Sequence, residues 1–346
     1  MSRLVRFDSP RSASLVETDL PPLAAGDVRI RTLYSGISAG TELTIYRGTN
    51  PYINSEWDSD RRLFLAGSTT WSYPIDGMGY EEVGVVTEVG DDAPADLLDA
   101  VVWGAWGHRS HAVRPADYVA ARRLPPGLDP MEGIFAKIGA IALNAVLDAD
   151  IHLGETVVVF GGGVPGQIVS QLAALSGARV VLVDLLADRR ELAERLGAFC
   201  AIDPAAEPVA ERVRALTDGR GADVVIEMSG SYQALHEAIR TVAYSSRVVV
   251  SGFFQGGADP VRLGEEFHHN RVQITGSQIS GVNPALQHRW SELRMSATVL
   301  ELARAGRLNV RDLVTDVIPD RDAPRAFRQL DERPQDVLQM VLDYSE

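Results

Sequence analysis

The sequence predicts an α/β protein: a β-rich front, a doubly wound parallel six-stranded sheet, and a mixed segment that closes the chain. Three observations carry that prediction. Residues up to about 145 read as strands and loops, and residues from Glu155 onward alternate strand with helix. Between them stands Val157-Val158-Val159-Phe160-Gly161-Gly162-Gly163-Val164-Pro165-Gly166, an apolar β-branched run that stops at glycines and passes at once into a helical pattern. That is the strand-turn-helix context of a dinucleotide loop.

In the front, Val28 to Tyr34 alternates with period two, and Glu82 to Gly90 is a β-rich run punctuated by glycine. Thr49 to Tyr73 holds Pro51, Tyr52, Trp57, Arg61, Arg62 and Trp71 without a clean period, so it reads as an excursion over the surface or over a cleft. Leu124 to Leu128 is a turn, and Pro130 to Leu147 reads as helix.

Alternation then sets in. Strand 157–160 leads to helix 166–176, strand 179–183 to helix 187–196, a short strand near Ala201-Ile202 to helix 207–216, and strand 222–227 to helix 231–242. Arg247 to Ser251 and Arg271 to Thr275 complete six strands whose crossovers specify a parallel sheet, with ligands at the strands' C-terminal ends. A helix from about Arg289 to Ala305, the strand Leu313 to Ile318 and a final helix and strand form the tail, expected to fold back on the front. The expected divisions are 1–146, 147–281 and 282–346.

Gly161, Gly163 and Gly166 fit GxGxxG, with Val164 and Pro165 between the last two. The first glycine permits a tight turn, the second lets the backbone approach a pyrophosphate, and the third lets helix and strand pack closely. Free N–H groups at the helix start face the anion. A second strand ends in Asp184, 18 residues beyond Gly166, where an acid accepts the adenosine ribose hydroxyls. Asp184 repels a 2′-phosphate, and Leu185 and Leu186 follow it instead of an arginine. Arg189 and Arg190 lie further into the next helix, placed to pack against adenine. NAD is therefore the expected cofactor over NADP.

A net charge of −14 argues against nucleic acid or an anionic membrane as partner. No run of about 18 apolar residues suggests a membrane span, and Met1 to Asp8 lacks the apolar stretch of a signal peptide. Cys200 is the only cysteine, which excludes an internal disulfide and a cysteine-rich zinc lobe. A cytoplasmic protein is expected.

The order of Ser35-Gly36-Ile37-Ser38-Ala39-Gly40-Thr41-Glu42, Gly79-Tyr80-Glu81, the glycine loop, Gly221 to Glu227 and Leu313 to Phe327 resembles the medium-chain dehydrogenase/reductase superfamily over nearly the whole chain. The resemblance implies a GroES-like catalytic domain interrupted by a Rossmann domain, with the active site in the cleft between them. The motifs SGIS, GTE and GYE look most like a branch near sugar, polyol and bacteriochlorophyllide dehydrogenases. Zinc-dependent members place a Cys, a His and a third Cys or acid on the metal. Here the matching positions are Ser38, Tyr80 and, within a residue, Lys137. A hydroxyl, a phenol and an ammonium do not suit zinc, so a zinc-free enzyme is expected. Hydride transfer at an alcohol then needs another acid/base, and Tyr80 with Lys137 lowering its pKa is the expected replacement. The alternative is that these two side chains merely fill vacated ligand positions.

Ser38 has two open readings, a hydrogen bond to a substrate hydroxyl or a turn cap. Glu81, with Glu42, is read as structural or as touching substrate. His108 and His111 fall on a strand near the expected cleft, and His268 and His269 precede the last Rossmann strand; each is a candidate for substrate contact with a surface or core role beside it. Trp57, with Arg61, Arg62 and Trp71, forms a pocket wall or anchors the insert. The expected activity is zinc-independent, NAD-dependent hydride transfer at a secondary alcohol of a polyol, sugar or cyclitol-like small molecule. Reduction of an activated C=C bond and non-catalytic nucleotide binding are the alternatives. The exposed edge expected at Val272 to Ile279 suggests a homodimer or homotetramer.

Overall fold

The computed structural model describes residues 1–345 and divides into two compact units, Met1–Lys137 with Val310–Glu346, and Ile138–Asn309. The expected junctions near 146 and 281 thus fall at 137 and 309. Helix Glu292–Arg304 belongs with the second unit because Val299 packs onto Gly139 closely enough to forbid a side chain there, and Asn309 exchanges two hydrogen bonds with Gln171.

In the first unit the strand Asp27–Ile37 is the centre of a six-stranded sheet. Val28, Ile30 and Thr32 point inward at period two and are fully buried. Antiparallel partners are Glu82–Val89 on one side and the tail strand Gln339–Asp343 on the other, with Met340 opposite Ile37 and Leu342 opposite Ser35. The tail therefore completes the front, as its composition suggests. A hairpin of Ser2–Ser9 and Ser12–Thr18, not evident from periodicity, forms a second sheet with Ile75–Asp76. Its Phe7 meets Phe327 edge-on at 4.9 Å, and Tyr46 stacks on Phe327 at 5.8 Å. These three rings tie hairpin, tail and first helix into one core.

The second unit holds six parallel strands in the order Cys200–Ile202, Arg179–Val183, Thr156–Phe160, Ala222–Glu227, Val242–Val250 and Gln273–Gly276. Strand order reverses beside Thr156–Phe160, which places a ligand crevice at its C-terminal end. Thr156–Phe160 is buried on both faces, as its unbroken run of Val and Phe requires. The last strand is an exposed edge of four residues, shorter than expected. The segment Pro130–Ala149 is long and apolar enough to cross a membrane by composition, but 67% of it is buried inside the protein. It starts as a 3₁₀ turn at Pro130–Ile134, where Gly133 lies against Val83, and becomes α-helical only at Phe135.

Candidate active site

In the first unit, strand Asp27–Ile37 delivers the chain into Ser38-Ala39-Gly40-Thr41, and helix Glu42–Arg47 starts there. Glu42 secures the turn twice. Its backbone N–H donates to Ser38 O at 2.9 Å, and its Oε1 accepts from Ser38 N–H at 3.0 Å. Gly79, at φ +126°, brings the neighbouring chain in; a Cβ there would meet Glu82 Oε1 at 2.7 Å and the His108 backbone at 3.0 Å. The result is a chain of three hydroxyls: Ser38 Oγ bonds Tyr80 OH, which donates to Thr41 Oγ1 at 3.5 Å.

Two expected residues, Ser38 and Tyr80, are thus brought together, and Thr41 joins them. Thr41 belongs to the GTE motif but was not singled out, because only folding shows that its hydroxyl faces the phenol. The protonation expected of Tyr80 is reversed. Burial, and then the charge of Glu81, push its phenol above the ordinary value, against the hydrogen bonds from Ser38 and Thr41 that lower it. The net direction is upward, with the charges of Glu81 and Glu42 adding to burial, opposite to the lowering expected from Lys137. Lys137 itself is half-buried in the first turn of helix Phe135–Ala149.

Two residues read either as touching substrate or as structural, His108 and Glu81, are buried. His108 is fully enclosed, with Nε2 on Glu42 Oε2 and Nδ1 on Ser35 Oγ, each at 2.6 Å. Glu81 is 1% exposed, and its carboxyl lies against the backbone of Gly36, where a Cβ would come within 2.6 Å of Oε2. Among the described residues Glu81 Oε2 has no hydrogen-bond partner. Burial and the charges of Glu42 and Glu82 raise this carboxyl well above its ordinary value, while Glu82 is pushed up to about 7. A carboxyl that binds its proton more tightly folded than unfolded stabilises the fold below its unfolded pKa, and that stability is lost as pH rises through the folded value. The chain should therefore lose stability as pH climbs from 4.5. Glu81→Gln, which does not ionise, should flatten that slope. Thermal unfolding at about pH 5 and about pH 8 reads it, and a Tm difference left intact by the substitution would contradict a protonated Glu81.

Trp57 lies on a small exposed hairpin, Glu56–Asp58 with Leu63–Leu65, its ring 4.9 Å from Phe64. Tyr52 joins Phe64 to Trp71, and Trp71 packs on the core. The aromatic residues of the insert anchor it. His111 is partly exposed and bonded to Ser110.

In the second unit, Gly161 turns at φ +98° with its N–H on Val183 O at 2.8 Å. Helix Val164–Leu175 follows, with Gly163 as N-cap and Pro165 in its first turn, where a missing N–H costs nothing. A Cβ on Gly166 would lie 1.8 Å from Gly161 O. Asp184 accepts from Gly162 N–H at 2.6 Å and Leu186 N–H at 2.8 Å. A carboxylate has about four acceptor sites, so it retains capacity for ribose hydroxyls. Arg190 is tied to the carbonyls of Asp184 and Leu185 and to Asp203 at 3.0 Å. Gln167, missed from sequence, links Gly162 O to Arg189 O through Nε2. The strain-free glycine turn, the free N–H groups of the helix start and the remaining acceptor sites of Asp184 fit a dinucleotide.

His268 and His269 are exposed and precede strand Gln273–Gly276. In a parallel sheet that is the N-terminal edge, opposite the end that carries the glycine turn and Asp184. They therefore sit at the wrong end of this unit to touch a ligand held there.

Residues 165–297 match the family described as zinc-binding dehydrogenase. A D-guloside 3-dehydrogenase of Escherichia coli is 32% identical over 353 residues, spanning 99% of this chain and 100% of its own length. The chain belongs to the zinc-binding dehydrogenase family. An L-threonine 3-dehydrogenase of Pyrococcus abyssi is 28% identical over 91% of this chain and 90% of its own. Among solved structures, a 2R,3R-butanediol dehydrogenase from Bacillus subtilis superposes with a TM-score of 0.80 at 21% identity, covering 99% of each chain. That likeness carries the GroES-like and Rossmann fold of zinc-binding dehydrogenases. At the positions expected for zinc ligands, the Ser38 and Tyr80 hydroxyls bond each other, a pair that does not suit zinc, and among the described residues no group of three His, Cys, Asp or Glu is placed to hold an ion.

Proposed function

We propose that the protein is an NAD-dependent dehydrogenase that transfers hydride at a secondary alcohol of a sugar- or polyol-like small molecule without zinc. The observation that carries the reading is the hydroxyl chain Ser38–Tyr80–Thr41, two of whose members, Ser38 and Tyr80, stand at the positions that the family resemblance assigns to metal ligands. The sugar-derivative relative across the full chain supports the substrate class, and Asp184 supports NAD over its 2′-phosphate analogue.

The nicotinamide, when bound, supplies or accepts the hydride. Tyr80 supplies the proton. A phenol whose pKa is raised stays protonated at neutral pH, so it donates a hydrogen bond to a carbonyl oxygen and a proton to the alkoxide that develops there. Ser38 and Thr41 hold its hydroxyl and pass the hydrogen-bond order along. This role replaces the expected phenolate with a neutral acid and asks nothing of Lys137. In the oxidative direction the same phenol must first lose its proton, so oxidation should accelerate as pH rises while reduction stays level to alkaline pH.

The test is NADH formation from NAD over a panel of sugars, glycosides, polyols and cyclitols, with protein treated with chelator. Turnover without metal supports the reading, turnover only after zinc is added refutes the metal-free part, and silence across the panel refutes the substrate class. Asp184→Asn should weaken NAD binding about 10-fold, the order of one or two charge-assisted hydrogen bonds, and narrow its preference over NADP. Equal affinities for both cofactors in the native chain would remove Asp184 from this role.

A further inference from the structure

The buried base of the hydroxyl chain contains a residue that the proposed reaction does not use. His108 has no exposed surface, yet both ring nitrogens are hydrogen-bonded. Ser35 Oγ stands 2.6 Å from His108 Nδ1 and 3.4 Å from Glu82 Oε1; with its own proton turned toward Glu82, Ser35 accepts from Nδ1–H. On the other side Nε2 faces Glu42 Oε2 at 2.6 Å, in line to donate to that carboxyl oxygen. A ring that donates from both nitrogens is an imidazolium.

The groups facing this ring are Ser35 from strand Asp27–Ile37, Glu42 from helix Glu42–Arg47, Glu82 from strand Glu82–Val89, and the edge-on ring of Phe327 at 5.7 Å from helix Ala323–Glu332. Arg109, its chain neighbour, is the opposing charge. Burial by itself lowers the pKa of the ring; the charge and hydrogen bond of Glu42 outweigh it and the net direction is upward.

Glu42 faces two ways. Oε2 meets His108 and Oε1 accepts from the Ser38 backbone N–H, while the Ser38 hydroxyl meets Tyr80. We propose that His108 is a permanently charged, buried positioning residue: its imidazolium clamps Glu42, and Glu42 in turn holds the Ser38 turn so that Ser38 and Tyr80 stay aligned. This deepens the reading above and rests on its assignment of Tyr80. A fixed cation then lies within the polar core of a unit whose donor set rejects a metal ion.

The experiment does not depend on turnover. Full-length protein labelled with ¹⁵N-histidine should show both His108 ring nitrogens protonated from about pH 6 to about pH 8, where a free histidine loses its charge, and the signal should vanish in His108→Gln. In the same variant, hydrogen–deuterium exchange of the peptide containing Ser38 should quicken at least about tenfold, by local opening, while the peptide spanning Thr156–Phe160 is unchanged. A neutral His108 ring at about pH 7 overturns the proposal, as does an unaltered Ser38 exchange rate. Should the variant not fold, the ring protonation of the native chain decides alone. Failure to find any reactive alcohol would sink the proposed reaction and leave these two signals standing.

Discussion

Gly166→Ala is expected to abolish dinucleotide binding and to lower thermal stability, whereas Gly163→Ala three residues earlier is expected to fold normally. The difference is steric. The added methyl on Gly166 would stand 1.8 Å from Gly161 O, a backbone atom. Gly161 has little room to retreat, since its N–H is bonded to Val183 O and a Cβ built on it would already come within 3.0 Å of Ser229. Either the helix start or the turn must shift by more than an ångström, at a cost of about 1–3 kcal/mol or more for overpacking. That shift misaligns the N–H groups that receive a pyrophosphate, so affinity should fall by at least about 100-fold, the equivalent of two lost hydrogen bonds to charge. At Gly163 the nearest atom to a new Cβ is Pro165 Cδ at 3.9 Å, and the backbone is extended, so nothing in the protein resists alanine. Titration of NADH fluorescence, with a thermal melt on each variant, separates the two. Tight binding by the Gly166 variant would place the dinucleotide elsewhere.

Tyr80→Phe is expected to reduce carbonyl reduction by about 10²–10⁴-fold, the usual contribution of a positioned general acid. The ring survives and packing is kept; what disappears is the one hydroxyl shared by Ser38 and Thr41. Because burial and Glu81 push the phenol upward, the native rate of reduction should stay level through neutrality and fall only at alkaline pH. The residual activity of the variant should lack that alkaline fall. Dinucleotide binding is built from other residues and should be unchanged. Full turnover in the variant, or an unaltered alkaline limb, would show that Tyr80 does not move the proton.

The glycine turn was legible in the sequence because it is a local device. Gly161, Gly166, Asp184 and the helix start lie within one strand-turn-helix-strand unit, and each is demanded by backbone geometry that near neighbours set. The parallel strands were legible for the same reason: a β-branched run buried on both faces admits few other structures. Ser38 and Tyr80 were found through motif positions, and their contact fits that placement.

His108, Glu81, His268 and His269 each carried two readings in the sequence, substrate contact or a structural or surface role, and what separates them is a long-range quantity. Whether His108 faces solvent or Glu42 depends on a residue 66 positions away. Glu81 is buried because its side chain crosses to Gly36 on a neighbouring strand. His268 and His269 stand at the N-terminal edge of a sheet whose direction is known only once every strand is aligned. The raised phenol of Tyr80 follows from the same cause, since the carboxylates that oppose its ionisation matter only because burial weakens the screening around them. The amino-acid sequence by itself determined the two-part α/β plan, the dinucleotide turn and the presence of a hydroxyl and a phenol, Ser38 and Tyr80, in the SGIS and GYE motifs, all written in local patterns of residue type. Only the tertiary structure decided which ionisable groups are buried, which partners they share and hence where their protons reside, because desolvation and charge coupling arise between segments that the chain brings together only when it folds.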